Sequence, residues 1–213
     1  GITGVWADGN TREAIFDALR RRETYATSGP RIRVRLFAGW GDAAQLASGG
    51  DWARRAYQWG VPMGGDLARP PAGAGGPSFI VHAARDPNSG NLDRIQIVKL
   101  WRQDGKSFEK IHDVIWSGNR ARDANGRVGP VGNTVDVANA RYSNSIGAPE
   151  LVGTWTDPDF DPAERAVYYA RVLEIPTPRW PVYLAKASGV ALSTKVKTSL
   201  QERAWTSPVF YTP

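Results

Sequence analysis

Arg31-Ile-Arg-Val-Arg-Leu-Phe37 sets Ile32, Val34 and Leu36 against Arg31, Arg33 and Arg35. Successive side chains of a strand point to opposite faces, so this period of two describes a half-buried strand with one wet face. Further extended stretches follow it. Residues 78–84 form a short apolar run closed by Asp86-Pro-Asn88, and residues 93–101 and 107–116 flank Arg102-Gln-Asp-Gly-Lys106, a hairpin signal. Residues 166–175 are apolar on both faces apart from Arg171 and Glu174, as in a central strand covered on both sides. Pro176-Thr-Pro178-Arg-Trp-Pro181 is expected to end that strand, since proline cannot donate to a ladder. Residues 134–137, 193–200 and 203–211 supply the remaining extended pieces. Short strands separated by turn signals argue for a mainly β fold, an antiparallel Ig-like β-sandwich, over a βαβ layout.

Upstream of the alternating stretch, Ile15, Phe16 and Leu19 recur at helical spacing and leave Arg12, Asp17 and Arg20 outside. Asn10 is the expected cap, with Glu13 reaching back to it as in a capping box. The helix is expected to stop near Glu23, and Ser28-Gly-Pro30 turns the chain into the strand. Downstream, residues 39–77 are rich in Gly, Ala and Pro and end in Arg69-Pro-Pro-Ala-Gly-Ala-Gly-Gly-Pro77. They read as a long irregular insertion with a strand or two around residues 53–59. Residues 117–133 read as a long polar loop.

The composition bounds the function. With 41% apolar and 23% charged residues the chain is ordinary globular material. No apolar run approaches the roughly 20 residues of a membrane helix, so no membrane partner is expected. No signal peptide opens the chain, and Gly1 leaves an upstream segment open. The absence of Cys excludes disulfides, thiolate metal sites and a Cys nucleophile. A periplasmic or secreted location is expected, with a cytoplasmic one left open. The net charge of +6 comes from 27 basic residues scattered among 21 acidic ones, so a solvated basic surface is expected and not a nucleic-acid groove. No Gly-x-Ser-x-Gly elbow and no phosphate-cradling Gly-x-x-x-x-Gly-Lys loop is present. Nine Trp suit cores between sheets and also platforms that stack on sugars.

Three segments carry a family resemblance. They are Gly4-Val-Trp-Ala7 with residues 10–19 and Glu23-Thr-Tyr-Ala-Thr-Ser-Gly-Pro-Arg31; Asp157-Pro-Asp-Phe-Asp-Pro162 with residues 168–180; and Gln201-Glu-Arg-Ala-Trp-Thr-Ser-Pro-Val-Phe-Tyr211. Together they resemble the C-terminal region of a bacterial family of unknown function. That family's N-terminal region is similar to the polymerase-and-histidinol-phosphatase (PHP) metallohydrolases. The resemblance implies an upstream α/β barrel with two or three divalent metals for hydrolysis of phosphate esters. It also implies that residues 1–30 are the barrel's terminal helix and crossover, and residues 31–213 a trailing sandwich. PHP ligands come from His-x-His and Asp-x-His patterns, whereas this chain has only His82 and His112. No catalytic residue and no cofactor are therefore carried over to it.

Candidate binding residues fall into three groups. Tyr25, Thr27 and Arg31 stand at the helix-to-strand corner, which serves either as a domain interface or, through the Arg31 guanidinium, as a phosphate contact. Trp40, Trp52, Tyr57 and Trp59 of the insertion close the end of the sandwich or form a ligand platform. Asp157, Asp159 and Asp161 alternate in a Pro-bounded loop, where turn chemistry is expected and a hard-cation site is the alternative. His82 and His112 are expected to pack or face solvent. The function expected is that of a non-catalytic C-terminal β module whose partner is the upstream PHP-like barrel. A carbohydrate-binding module using exposed Trp is the alternative. The apolar face of Ile15, Phe16 and Leu19 gives a dimer contact if the helix is left bare.

Overall fold

The computed structural model describes residues 1–47 and 49–213. The alternating stretch is β3 (Arg33–Gly39), which pairs antiparallel with β6 (Ser78–Ala84); β6 pairs with β9 (Glu150–Thr156). The two-residue β4 (Val61–Pro62) completes a four-stranded sheet in the order β4-β3-β6-β9. The larger sheet is built on β10 (Ala166–Pro178). One edge of β10 pairs with β7 (Leu92–Gln103), and β7 with β8 (Lys106–Trp116). The other edge pairs with β11 (Ser199–Thr206) and then β12 (Val209–Tyr211). β2 (Thr24–Thr27) adds to β11, β1 (Ile2–Val5) to β2, and β5 (Asp66–Leu67) lies parallel to β12.

The expected antiparallel sandwich is the architecture: two open sheets, not closed into a barrel, share one core. Val34, Leu36 and Ala38 of β3 and Phe79 and Val81 of β6 meet Ile95 and Ile97 of β7 and Tyr168, Ala170 and Val172 of β10, all buried. The period of two read from residues 31–36 is thus realised, with Ile32, Val34 and Leu36 fully inside. The hairpin turn tightens to Asp104-Gly105, whose φ angles of 50° and 75° are both positive, as a two-residue type I′ connection needs.

Residues 2–27 form a strand-helix-strand unit inside the larger sheet, with Thr27 opposite Ala204 and Tyr25 opposite Thr206. Its helix α1 (Arg12–Arg20) is capped by Thr11, not Asn10: the Ala14 N–H donates to Thr11 Oγ1 at 3.2 Å from an extended Thr11.

Other expectations are corrected. Residues 53–59 are helical, not extended: α2 (Trp52–Trp59) puts Trp52, Ala56 and Trp59 on one face, and Ala56 packs with Phe37, Ala43 and Ile80 on the outside of the small sheet. β10 runs on to Pro178, because beyond the Glu174–Leu92 pair the edge facing β7 is released and a proline there forfeits no ladder bond. Pro181 lies in the first turn of α3 (Trp180–Ser188), where its missing N–H has no intrahelical partner to lose. The chain between α3 and β11 is not a strand up to Thr198. Residues 134–137 hold only an isolated Asp136–Arg141 bridge. No described helix is long and apolar enough to cross a membrane.

Candidate functional site

The outer face of the small sheet is covered at one end only. Phe37 and Ile80 lie under α2, whereas Arg33, Arg35, His82, Ala84 and Glu150 continue the same face beyond it. Register places Arg35 opposite His82, and Arg33, Ala84 and Glu150 in one row across the three strands. The methyl of Ala84 leaves a floor, and Trp6 and Trp52 stand as walls of a cleft of about 230 Å³ lined also by Ala53.

Each polar group in the cleft is held differently. Trp6 donates its indole N–H to the Val34 carbonyl at 2.9 Å, and the Arg35 guanidinium lies 4.1 Å from the Trp6 ring centroid. Arg35 Nη2 also donates to the Tyr57 hydroxyl at 3.3 Å. That hydroxyl donates to buried Glu23, which Arg21 Nε pairs at 3.1 Å. Burial and the bond to Glu23 push the Tyr57 hydroxyl up to about 12, so it stays a donor at neutral pH. His82 stacks on Trp52, with ring centroids 4.9 Å apart and planes 17° apart, and its Nε2 lies 2.7 Å from Glu150 Oε1. Burial holds the imidazole below its ordinary range and Arg33 and Arg35 add to that, while Glu150 opposes it. Arg33 projects from the rim, exposed, and among the described residues its guanidinium has no ion pair or hydrogen-bond partner. The cleft thus brings aromatic walls, two guanidinium forks and a His–Glu pair together in one concave place, a chemistry suited to polar groups.

The family model described as "Protein of unknown function (DUF3604)" matches residues 1–213. The chain belongs to this family. No curated protein and no solved structure matches it.

Of the residues singled out in the DUF3604 sequence, Trp52 lines the cleft and Tyr57 supports it from behind. Trp40 and Trp59 pack instead: Trp40 Nε1 donates to the Ala68 carbonyl at 3.0 Å against Phe160 and Tyr211, and Trp59 Nε1 donates to the Trp40 carbonyl at 3.1 Å. Tyr25 packs 6.1 Å from Trp6, Thr27 is buried in its strand, and the Arg31 N–H donates to Asp86 Oδ2 at 2.7 Å. None of these three lines the cleft, and Arg33, one pleat further on, does. Trp6, Arg33, Arg35, His82 and Glu150 form the rest of it.

The aspartate loop divides. Asp157 and Asp159 come together with His112, one ligand atom of each within 4.8 Å of the others, beside a second cleft of about 290 Å³. Asp161 stays apart and accepts the Ala163 N–H at 2.8 Å, which is turn chemistry. The buried Lys99 ammonium lies 2.6 Å from Asp157 Oδ2, which also accepts the Tyr168 hydroxyl at 2.7 Å, and Lys110 pairs with Asp159. A divalent ion entering here would have to displace an ammonium already buried against its carboxylate.

Proposed function

We propose that this chain is a non-catalytic, ligand-binding β-sandwich module that works beside an upstream PHP-like, metal-dependent hydrolase domain. One observation carries the binding half of this reading: beyond α2 the outer face of the small sheet holds a cleft furnished with fixed polar groups between two tryptophans. A face needed only for packing would be apolar or covered; here Arg35 is held by Trp6 and Tyr57, and His82 by Trp52 and Glu150. Groups ordered before a ligand arrives reduce the entropy lost on binding. The hydrolase half rests on the resemblance of the three sequence segments to the PHP-containing family. The same cleft also accommodates the alternative of a carbohydrate module, through Trp52 rather than the packed Trp40 and Trp59.

The test is a titration of the purified chain with neutral and anionic saccharides, followed by the NMR signals of the Trp6 and Trp52 indole N–H groups. Saturable shifts at both indoles, lost in Trp52→Ala, are the expected result. Saccharide shifts confined to other tryptophans, or unchanged by Trp52→Ala, would remove the reading. Metal-dependent ester turnover by the chain alone would remove its non-catalytic part.

A further inference from the structure

We infer that the cleft receives a tetrahedral oxyanion, the sulfate or phosphate of a monoester, between Arg33 and Arg35, with the organic part of the ligand lying toward Trp52, Ala53 and Ala84. The inference rests on the ligand-binding reading above and names the chemistry that the site selects.

Charge placement supplies the first ground. Arg33 and Arg35 lie on the same face of β3, two residues and therefore about 7 Å apart along the strand. Neither forms an ion pair among the described residues. The carboxylate on this face, Glu150, is engaged by His82 at 2.7 Å, and Arg35 meets Glu23 only through the intervening Tyr57 hydroxyl. Two guanidinium groups against the single Glu150 carboxylate leave an excess of positive charge in the cleft, and an anion that both can reach relieves it.

Geometry supplies the second. The Arg35 fork is already fixed by its stack on Trp6, itself bonded to β3, while Arg33 is free to fold over from the rim. A planar carboxylate has two oxygens and satisfies one fork. A monoester oxyanion has three terminal oxygens at tetrahedral angles, enough to serve both forks and leave one turned to solvent, since Nε2 of His82 is already held by Glu150. The apolar side of the cleft, Trp52 with the methyls of Ala53 and Ala84, then accepts the carbon skeleton rather than a second charge.

The experiment follows the Arg Nε–H signals of the full chain during titration with sodium phosphate, sodium sulfate, sodium acetate and maltose at fixed ionic strength. Saturable shifts of the Arg33 and Arg35 signals with phosphate or sulfate are expected, with acetate at least tenfold weaker. Arg33→Gln, a change on an exposed side chain, is expected to weaken oxyanion binding tenfold or more, and Arg33→Lys to restore only part of it. Lys106→Gln, on the distant hairpin, is expected to change nothing. Tighter phosphate than sulfate assigns a phosphate ester, and the reverse order a sulfate ester. Equal response to acetate, or binding indifferent to Arg33→Gln, overturns the inference. Maltose shifting the Trp52 indole without any oxyanion effect overturns it while leaving the ligand-binding reading standing; silence from every probe sinks both.

Discussion

Glu174 is a carboxyl enclosed in the middle of β10. The Ser89 hydroxyl donates to its Oε2 at 2.8 Å, while Oε1 is buried without a partner among the described residues. Burial pushes the group up to about 7, against 4.5 for an ordinary glutamate. The unfolded chain therefore releases this proton at lower pH than the native one. Stability is full below the unfolded value, falls as pH rises from about 4.5 to about 7, and stays reduced above, by roughly 3 kcal/mol. Glu174→Gln keeps the shape and removes the charge. Urea unfolding at pH 5 and pH 8 is expected to show the variant gaining on the parent by about 2.5 kcal/mol between the two; a gap that does not grow would show that the native carboxylate is solvated. A Glu in an apolar strand covered on both sides was visible in the sequence, and the group that meets its carboxyl was not, because Ser89 reaches it from 85 residues away.

Among the elements, α2 decides whether the cleft exists. Ala56 is fully buried against Phe37 and Ile80, in a cluster separate from the sandwich core. An acid at this position would lift the helix from the sheet and leave the inter-sheet core in place. Ala56→Asp is expected to cost about 1–3 kcal/mol and to abolish the Trp52–His82 stack. The His82 imidazole, depressed chiefly by burial, is then expected to titrate nearer its ordinary range, a rise read from the NMR pH titration of its ring protons. A depressed value that survives the substitution would place the cause in Arg33 and Arg35 instead. The strand expected here overlooked a helical signal: Trp52, Ala56 and Trp59 keep an i, i+4, i+7 spacing, which outweighs the strand preference of the aromatics. β9 was harder to read because Gly153 interrupts it. A Cβ there would lie 2.9 Å from Ile115, so the glycine marks the close approach of β8, a contact made 38 residues away in sequence. The cleft shares that difficulty: Arg33 and Arg35 showed as a wet strand face, but only the β3–β6–β9 register puts His82 and Glu150 on it.

Across the whole molecule the apolar surface and the charge are unevenly placed. Phe16 and Leu19 of α1 are exposed, as their spacing suggested, but α3 and the chain after it expose more, with Trp180 and Val190 at 67% and 66% and Leu184 beside them. From Ile175 to Gln201 there is no acidic residue, while Arg179, Lys186, Lys195 and Lys197 all fall there. Two copies meeting through this surface would gain apolar burial and suffer like-charge repulsion, and salt weakens only the second. The screening length falls from about 10 Å at 0.1 M to about 3 Å at 1 M. Sedimentation velocity is therefore expected to show association rising with salt, the reverse of a contact held by ion pairs. Leu184→Glu is expected to abolish it and Phe16→Glu to leave it intact. If Phe16→Glu is the substitution that abolishes association, the contact belongs to α1 and the surface of α3 is left for a partner of opposite charge.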